Sequence, residues 1–410
     1  MPGMNPGIKA SHPTVAAAFE AALRHQVIIV LLTFAVLGVA WLAAQAWLAR
    51  AAADGAAPRA PGSRAPGSRA PGSGFAAAAE PAGRRLIRIG FGLLWLFDGV
   101  LQAQPKMAAG LPSQVIEPVA ASSPHWVQHL VNWAGTAWTN YPVPAASCAV
   151  WIQVGIGTWM LVAAAGPWSR LAGLASLGWG LAVWVFGESF GGILVPGLSW
   201  LTGAPGAALS YAVAGALIAL PGRAWHTARL GRLTLAGMGL FLAGMAVLQA
   251  WPGRGFWQGT FHGQPGTLTG MVQSMATIPQ PHVLSAWVAG FGSLNAGHGF
   301  AVNLAVVVVL ALAGAVFLSG RRGLIRPALI AVMVLCLADW VLVEDLGFFG
   351  GLGTDPSSMP PFALLAVAGY LALASGPVGA AEPAGPAGTG TPVRWLAGRL
   401  VLAKSRRTGS

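Results

Sequence analysis

RIGFGLLWLFDGVLQAQPKM (Arg88 to Met107) and LAGMGLFLAGMAVLQAWPGRGFW (Leu235 to Trp257) are an apolar run and its echo, and both close on the same short polar cluster. Leu101-Gln102-Ala103-Gln104-Pro105 aligns with Leu248-Gln249-Ala250-Trp251-Pro252. At a nearly constant offset, Pro124-His125 meets Pro281-His282. Trp184 and Glu188 then meet Trp340 and Glu344, and Gly191-Gly192 meets Gly350-Gly351. The reading is a helical unit, duplicated in tandem and set in a membrane.

Composition agrees. Of 410 residues 55% are hydrophobic and only 8% charged, against about 25% charged in a soluble domain. Several apolar runs reach about 20 residues, the length that crosses a hydrocarbon core. The net charge of +12 does not point to nucleic acid, because the arginines sit beside apolar runs. That placement is a topology signal, not a phosphate-binding face. Cys148 and Cys336 lack CxxC spacing and read as small packing residues, with no disulfide or zinc site. No P-loop, HExxH, nucleophile-elbow or strand pattern appears, so no motif fixes an enzyme class.

In chain order, residues 1–26 read as a polar, irregular segment and 27–49 as a first span. Arg50, Arg59, Arg64 and Arg69 follow it, which places the N-terminus outside. Residues 50–83 form a Pro/Gly/Arg low-complexity linker built on Ala-Pro-Gly-Ser-Arg. The first membrane repeat, 84–222, carries spans at about 86–104, 143–164, 171–187 and 206–221. The second, 229–376, carries spans at about 233–250, 299–319, 324–343 and 361–376. Pro144, Pro327 and Pro361 are read at span starts, where a missing N–H costs nothing. Residues 377–410 form a basic cytoplasmic tail, with a short interfacial helix over 393–404.

Arg84, Arg85 and Arg88, then Arg170, Arg223, Arg229 and Arg232, then Arg321, Arg322 and Arg326 all flank one side. Only Lys106 and Arg254 flank the other, while Asp98, Glu117, Glu188, Asp339, Glu344, Asp345 and Asp355 fall in that outer half. Each repeat has an even number of spans, so both enter from the cytoplasm. The fold expected is all-α and polytopic: nine transmembrane helices, made of two parallel four-helix repeats plus one N-terminal helix. The Trp-rich outer loops, about 105–141 and 251–298, are expected to carry short interfacial helices.

Arg88, Gly90 and Gly99, followed by Gly155, Gly157 and Arg170, resemble the opening helices of DoxX-like membrane proteins. The resemblance covers residues 84–187 and, more weakly, 229–343. Where that family often has a carboxylate, this chain has Gln153. The resemblance implies four-helix units in the bacterial cytoplasmic (inner) membrane, associated with extracytoplasmic redox proteins that deliver electrons to quinone. A quinone cofactor and a redox partner outside the membrane are therefore what it suggests.

Few residues could carry chemistry. Asp98 lies about 15 Å along the helix from Arg88, inside the apolar slab, where an ionisable group suggests function. It reads as a proton carrier or ligand partner, or as an Asp bonded to a neighbouring Trp or Gln. Its counterpart is near Met245, and Asp339 is the second such candidate. Gln102, Gln104 and Lys106, echoed by Gln249 and Arg254, could bind a quinone carbonyl, an anion or a headgroup. They could equally form a polar helix end with a snorkelling base. Glu188 and Glu344, with Asp345, precede glycine-rich outer loops and form an acidic rim able to gather cations or protons, while Gly353-Thr354-Asp355-Pro356 reads as a turn. His125 and His129 share a helix face, and His282 repeats the first. A metal needs more ligands than that, so no metal site is assigned. Gln153 and Asn303 suit interhelical hydrogen bonds.

Three functions follow: a redox-associated protein holding a quinone- or lipid-like ligand near the outer leaflet, a proton-coupled transporter using Asp98 and Asp339, or a non-catalytic scaffold for an extracytoplasmic partner.

Overall fold

The apolar runs become helices. The computed structural model describes residues 13–54, 80–195 and 197–375, all within one compact unit. Most of the linker and the basic tail lie outside the described residues. The long helices are α1 (Pro13–Asp54), α2 (Ala82–Gln102), α6 (Pro142–Val162), α7 (Gly166–Phe186), α9 (Ala228–Ala250), α11 (His282–Ser319) and α12 (Arg322–Leu342). Two apolar helices are shorter, α8 (Ala207–Ala219) and α13 (Met359–Ala374). Between α2 and α6 lie α3 (Met107–Leu111), α4 (Glu117–Ala120) and α5 (His125–Asn140). A two-residue hairpin, β1 (Thr260–Phe261) with β2 (Gln264–Pro265), and α10 (Thr267–Met275) precede α11.

The chain is a helical integral membrane protein. Among the described residues six helices are long and apolar enough to cross a bilayer, or seven if α2 and the run Met107–Ala120, bent by 94°, count as one span. α8 and α13 fall short: 13 and 16 residues reach only about 20–24 Å at 1.5 Å per residue, against a core of about 30 Å.

α2 lies along α6 as α9 lies along α11, and α7 lies along α8 as α12 lies along α13. Where helices cross, glycine is the contact. A β-carbon on Gly157 would sit 2.7 Å from the Gly92 carbonyl oxygen, and one on Gly314 would sit 3.0 Å from that of Gly239. In lipid no hydrophobic force draws helices together, so close backbone approach supplies the attraction. α13 packs on both α2 and α9 and joins the two halves of the bundle. At the arginine end, Arg88 donates to the Met160 and Leu161 carbonyls, both at 2.9 Å, satisfying the open end of α6. Glu80 pairs with Arg84 at 2.7 Å and with Arg88 at 2.8 Å.

Four local expectations are corrected. Residues 13–26 are helical, because Val15, Phe19 and Leu23 form a stripe covered by Ala108, Ala146 and Val150. The span expected over 299–319 begins at His282, the helix passing through a kink at His298. Pro327 lies inside α12, since that helix already starts at Arg322. Cys148 is exposed, although Cys336 is buried.

Candidate ligand chamber

The two short helices begin inside the protein, and each begins on a glutamate. After α7 the backbone reverses through Ser189 and Phe190, at φ 52° and 61°. That turn points the Glu188 carboxylate at the first turn of α8, where it accepts from the Ala208 N–H at 3.0 and 3.3 Å. After α12 the same reversal occurs at Asp345 and Leu346, again at φ 52° and 61°. Glu344 accepts from the Ser358 hydroxyl at 2.5 Å and from the Ser358 and Met359 N–H groups at 3.3 Å. Trp184 and Trp340 brace the two turns by donating to the carbonyls of Pro205 (2.7 Å) and Pro356 (2.8 Å). Free N–H groups and the helix dipole at an N-terminus favour an anion there. Burial works against it. The Glu188 carboxyl is pushed up to about 8 by desolvation and by nearby Asp355, with the Ala208 bond opposing. Glu344 is pushed up to about 7 by desolvation, its Ser358 and Met359 bonds opposing. Desolvation also raises Asp355, against its bonds from Thr354 and Ser357.

Beside Glu188 lies a cavity of about 500 Å³. Asp98 and Gln102, one turn apart on α2, reach it, as do Gln153 from α6 and Tyr211 from α8. Glu344 and the segment Thr354–Ser358, with Asp355, bring the second half of the chain to the same wall. Trp95, Trp133, Trp138, Trp179 and Phe186 supply apolar faces, and exposed Val119 and Trp133 mark an opening. Trp95 is held by donating to the Ser176 hydroxyl at 2.9 Å, and its ring packs 4.5 Å from that of Tyr211.

The chamber's polar atoms are under-used. Asp98 Oδ1, Gln102 Oε1, Gln153 Oε1, the Tyr211 hydroxyl and Trp179 Nε1 are buried and make no hydrogen bond. Tyr211 faces the Asp98 carboxyl without good hydrogen-bond geometry. A buried polar atom left unpaired is costly, so its presence calls for an explanation such as a ligand.

The second half has the same pair of amides, closed. Gln249 Nε2 donates to Asn303 Oδ1 at 2.7 Å, and Ser199 donates its hydroxyl to Gln249 Oε1. Both amides are 1% exposed. Met245 stands where the first half has Asp98.

The structure therefore brings Asp98, Gln102, Glu188 and Glu344 to one cavity and leaves the other candidates elsewhere. Gln104 donates to the Gly353 carbonyl at 3.3 Å. Lys106 is exposed beside Gly351. Arg254 ties together the Leu198 (2.6 Å) and Leu248 (3.2 Å) carbonyls. Asp339 is 2% exposed in α12, near Glu344, with neither oxygen hydrogen-bonded. His125, His129 and His282 are exposed, and among the described residues no three His, Cys, Asp or Glu side chains converge closely enough to hold a metal ion.

Sequence reasoning missed Tyr211, Trp179 and Asp355 as members of the site. Tyr211 carried a signal, being one of only 3 tyrosines and the lone phenol within an apolar run of Ala, Leu and Val. Asp355 had none, reading as an ordinary turn residue before Pro356. No family model, curated protein or solved structure matches the chain.

Proposed function

We propose that this integral membrane protein admits an amphipathic, membrane-dissolved small molecule to the chamber of its first half and binds its polar end there. The observation that carries this is the contrast between two equivalent amide pairs. Gln249 and Asn303 satisfy each other, whereas Gln102 and Gln153 both line an open cavity and each keeps a buried, unpaired oxygen. The quinone-like and lipid-like ligands suggested by the sequence both belong to this class, and the DoxX-like resemblance, with its extracytoplasmic redox partner, is part of the same reading. So is the topology of nine crossings in two parallel four-helix repeats, N-terminus outside and C-terminus in the cytoplasm of a bacterial inner membrane, in which the short α8 and α13 cross only together with the loops that precede them. Glu188 and Glu344 standing at one end of the bundle support the parallel arrangement.

Photo-crosslinking tests it. Full-length protein in lipid nanodiscs is irradiated with diazirine analogues of a quinone and of a single-chain amphiphile, and the labelled peptides are mapped. Labels are expected on α2 near Gln102 and on α6 near Gln153, and are expected to vanish in Ala182→Phe, which fills the chamber. Labelling confined to lipid-facing residues, unchanged by Ala182→Phe, overturns the proposal.

A second reading, proton-coupled transport, draws support from a separate observation. Two carboxyls of the chamber are buried, and desolvation pushes them up toward neutrality, Glu344 to about 7 and Glu188 to about 8. Each would exchange protons at ordinary pH.

A further inference from the structure

Resting on the chamber as a binding site, we infer that its ligand is a lipophilic amine, whose ammonium group sits among Asp98, Gln102 and Gln153 with its apolar body against the tryptophans. Three independent observations point to that chemistry.

The first is charge. Asp98, Glu188, Glu344 and Asp355 line the chamber, and no Lys, Arg or His is among its described lining residues. The nearby bases are not among the lining: Lys106 is exposed and Arg254 is spent on the Leu198 and Leu248 carbonyls. Acids sharing a low-dielectric site without a cation stay protonated or wait for one.

The second is hydrogen-bond polarity. Asp98 Oδ1, Gln102 Oε1 and Gln153 Oε1 belong to side chains that are 3%, 6% and 4% exposed, and all three are unpaired acceptors. An ammonium carries several donors and no acceptor. A quinone's carbonyls would accept from the Tyr211 hydroxyl and Trp179 Nε1 but would leave all three of these acceptors unpaired. A phosphate headgroup would add negative charge to an acidic wall.

The third is the wall itself. Trp95, Trp133, Trp138 and Trp179 surround these acceptors, and Trp is the best cation–π partner.

Entry of a cation then displaces a proton. The ammonium enters, one carboxyl releases its proton to water, and the net charge of the site is unchanged. The groups that face this exchange are Asp98 on α2, Tyr211 on α8, Glu188 after α7, and Glu344 and Asp355 between α12 and α13, with Asp339 adjoining Glu344. α6 contributes only the neutral Gln153. Since Glu188 and Glu344 titrate at about 8 and about 7, affinity for the amine should rise with pH across that range.

Full-length protein in nanodiscs is titrated with 4-phenylbutylamine, with the uncharged 4-phenylbutanol and with decylubiquinone. Tryptophan emission and thermal unfolding are read, and empty nanodiscs and Ala182→Phe serve as blanks. The amine is expected to bind at least tenfold more tightly than the alcohol at pH 8 and to lose most of that advantage at pH 6. Asp98→Asn should erase the preference while leaving alcohol binding intact. If that variant does not fold, Asp355→Asn and Gln153→Leu carry the test, each expected to lower the preference. Equal or tighter binding of alcohol or quinone, still blocked by Ala182→Phe, overturns the amine and leaves the chamber as a binding site. Binding of no probe, or binding indifferent to Ala182→Phe, overturns both.

Discussion

Glu188 holds the first turn of α8 as Glu344 holds the first turn of α13, and the two carboxylates come from opposite halves of the chain to one cavity. Their bonding differs in number. Glu188 takes backbone N–H groups alone, those of Ala208 and Ala207, whereas Glu344 takes three donors, the Ser358 hydroxyl and the Ser358 and Met359 N–H groups. A lost helix cap costs about 1 kcal/mol and up to about 2. Glu344→Ala is expected to destabilise more than Glu188→Ala, measured by thermal unfolding in detergent. The reverse order would remove the capping assignment.

Both carboxyls hold their protons more tightly in the folded protein than in the unfolded chain. Each is raised from 4.5, Glu344 to about 7 and Glu188 to about 8. The folded state then binds more protons than the unfolded one between those values, so these groups stabilise it at low pH and lose that contribution as pH climbs. Unfolding temperature should therefore fall between pH 5 and pH 8. Glu188→Gln should flatten the upper part of the slope. An unchanged slope would show that Glu188 titrates normally.

Gly155 and Gly157 are two residues apart on α6 and should tolerate substitution very differently. A β-carbon on Gly155 meets nothing within 4 Å, while one on Gly157 would press on the Gly92 carbonyl and the Leu96 amide. Gly157→Val is expected to cost roughly 1–3 kcal/mol as overpacking and Gly155→Val far less, read from detergent-resistant unfolding. Similar losses at both sites would mean that α2 and α6 do not cross where described.

Opposite signs are expected for two amides. Gln249→Leu strands Asn303 and Ser199 in a buried site, at roughly 1–3 kcal/mol. Gln153→Leu removes an oxygen that already lacks a partner and should be neutral or stabilising in the empty protein. Destabilisation by Gln153→Leu equal to that by Gln249→Leu would mean that the first pair is also closed.

Much of this was legible before any coordinates. The Trp184–Glu188 and Trp340–Glu344 pairs stood out because charge is rare in an apolar sequence, and they mark equivalent turns. Asp98 and Gln102 stood out similarly and share a wall. Hydropathy could not show that residues 13–26 are helical, because their apolar stripe is diluted by Glu20, Arg24 and His25. Nor could it separate Gln102 from Gln249. Identical amides on equivalent helices differ only because Ser199 and Asn303 reach one of them, and that is a fact of three-dimensional approach. Asp355 was hidden for the same reason, its role set by where a distant loop lands.

Glu344 and the segment Thr354–Ser358 complete a wall whose other members lie between Trp95 and Tyr211. A polypeptide ending after α8 would thus own every helix of that enclosure and still have a gap in its side. Having both halves in one chain fills the gap in cis, with the loop permanently present beside the enclosure. A stand-alone unit of the same design would have to borrow the missing piece from a neighbour, so for such a unit assembly and ligand capture would be a single event.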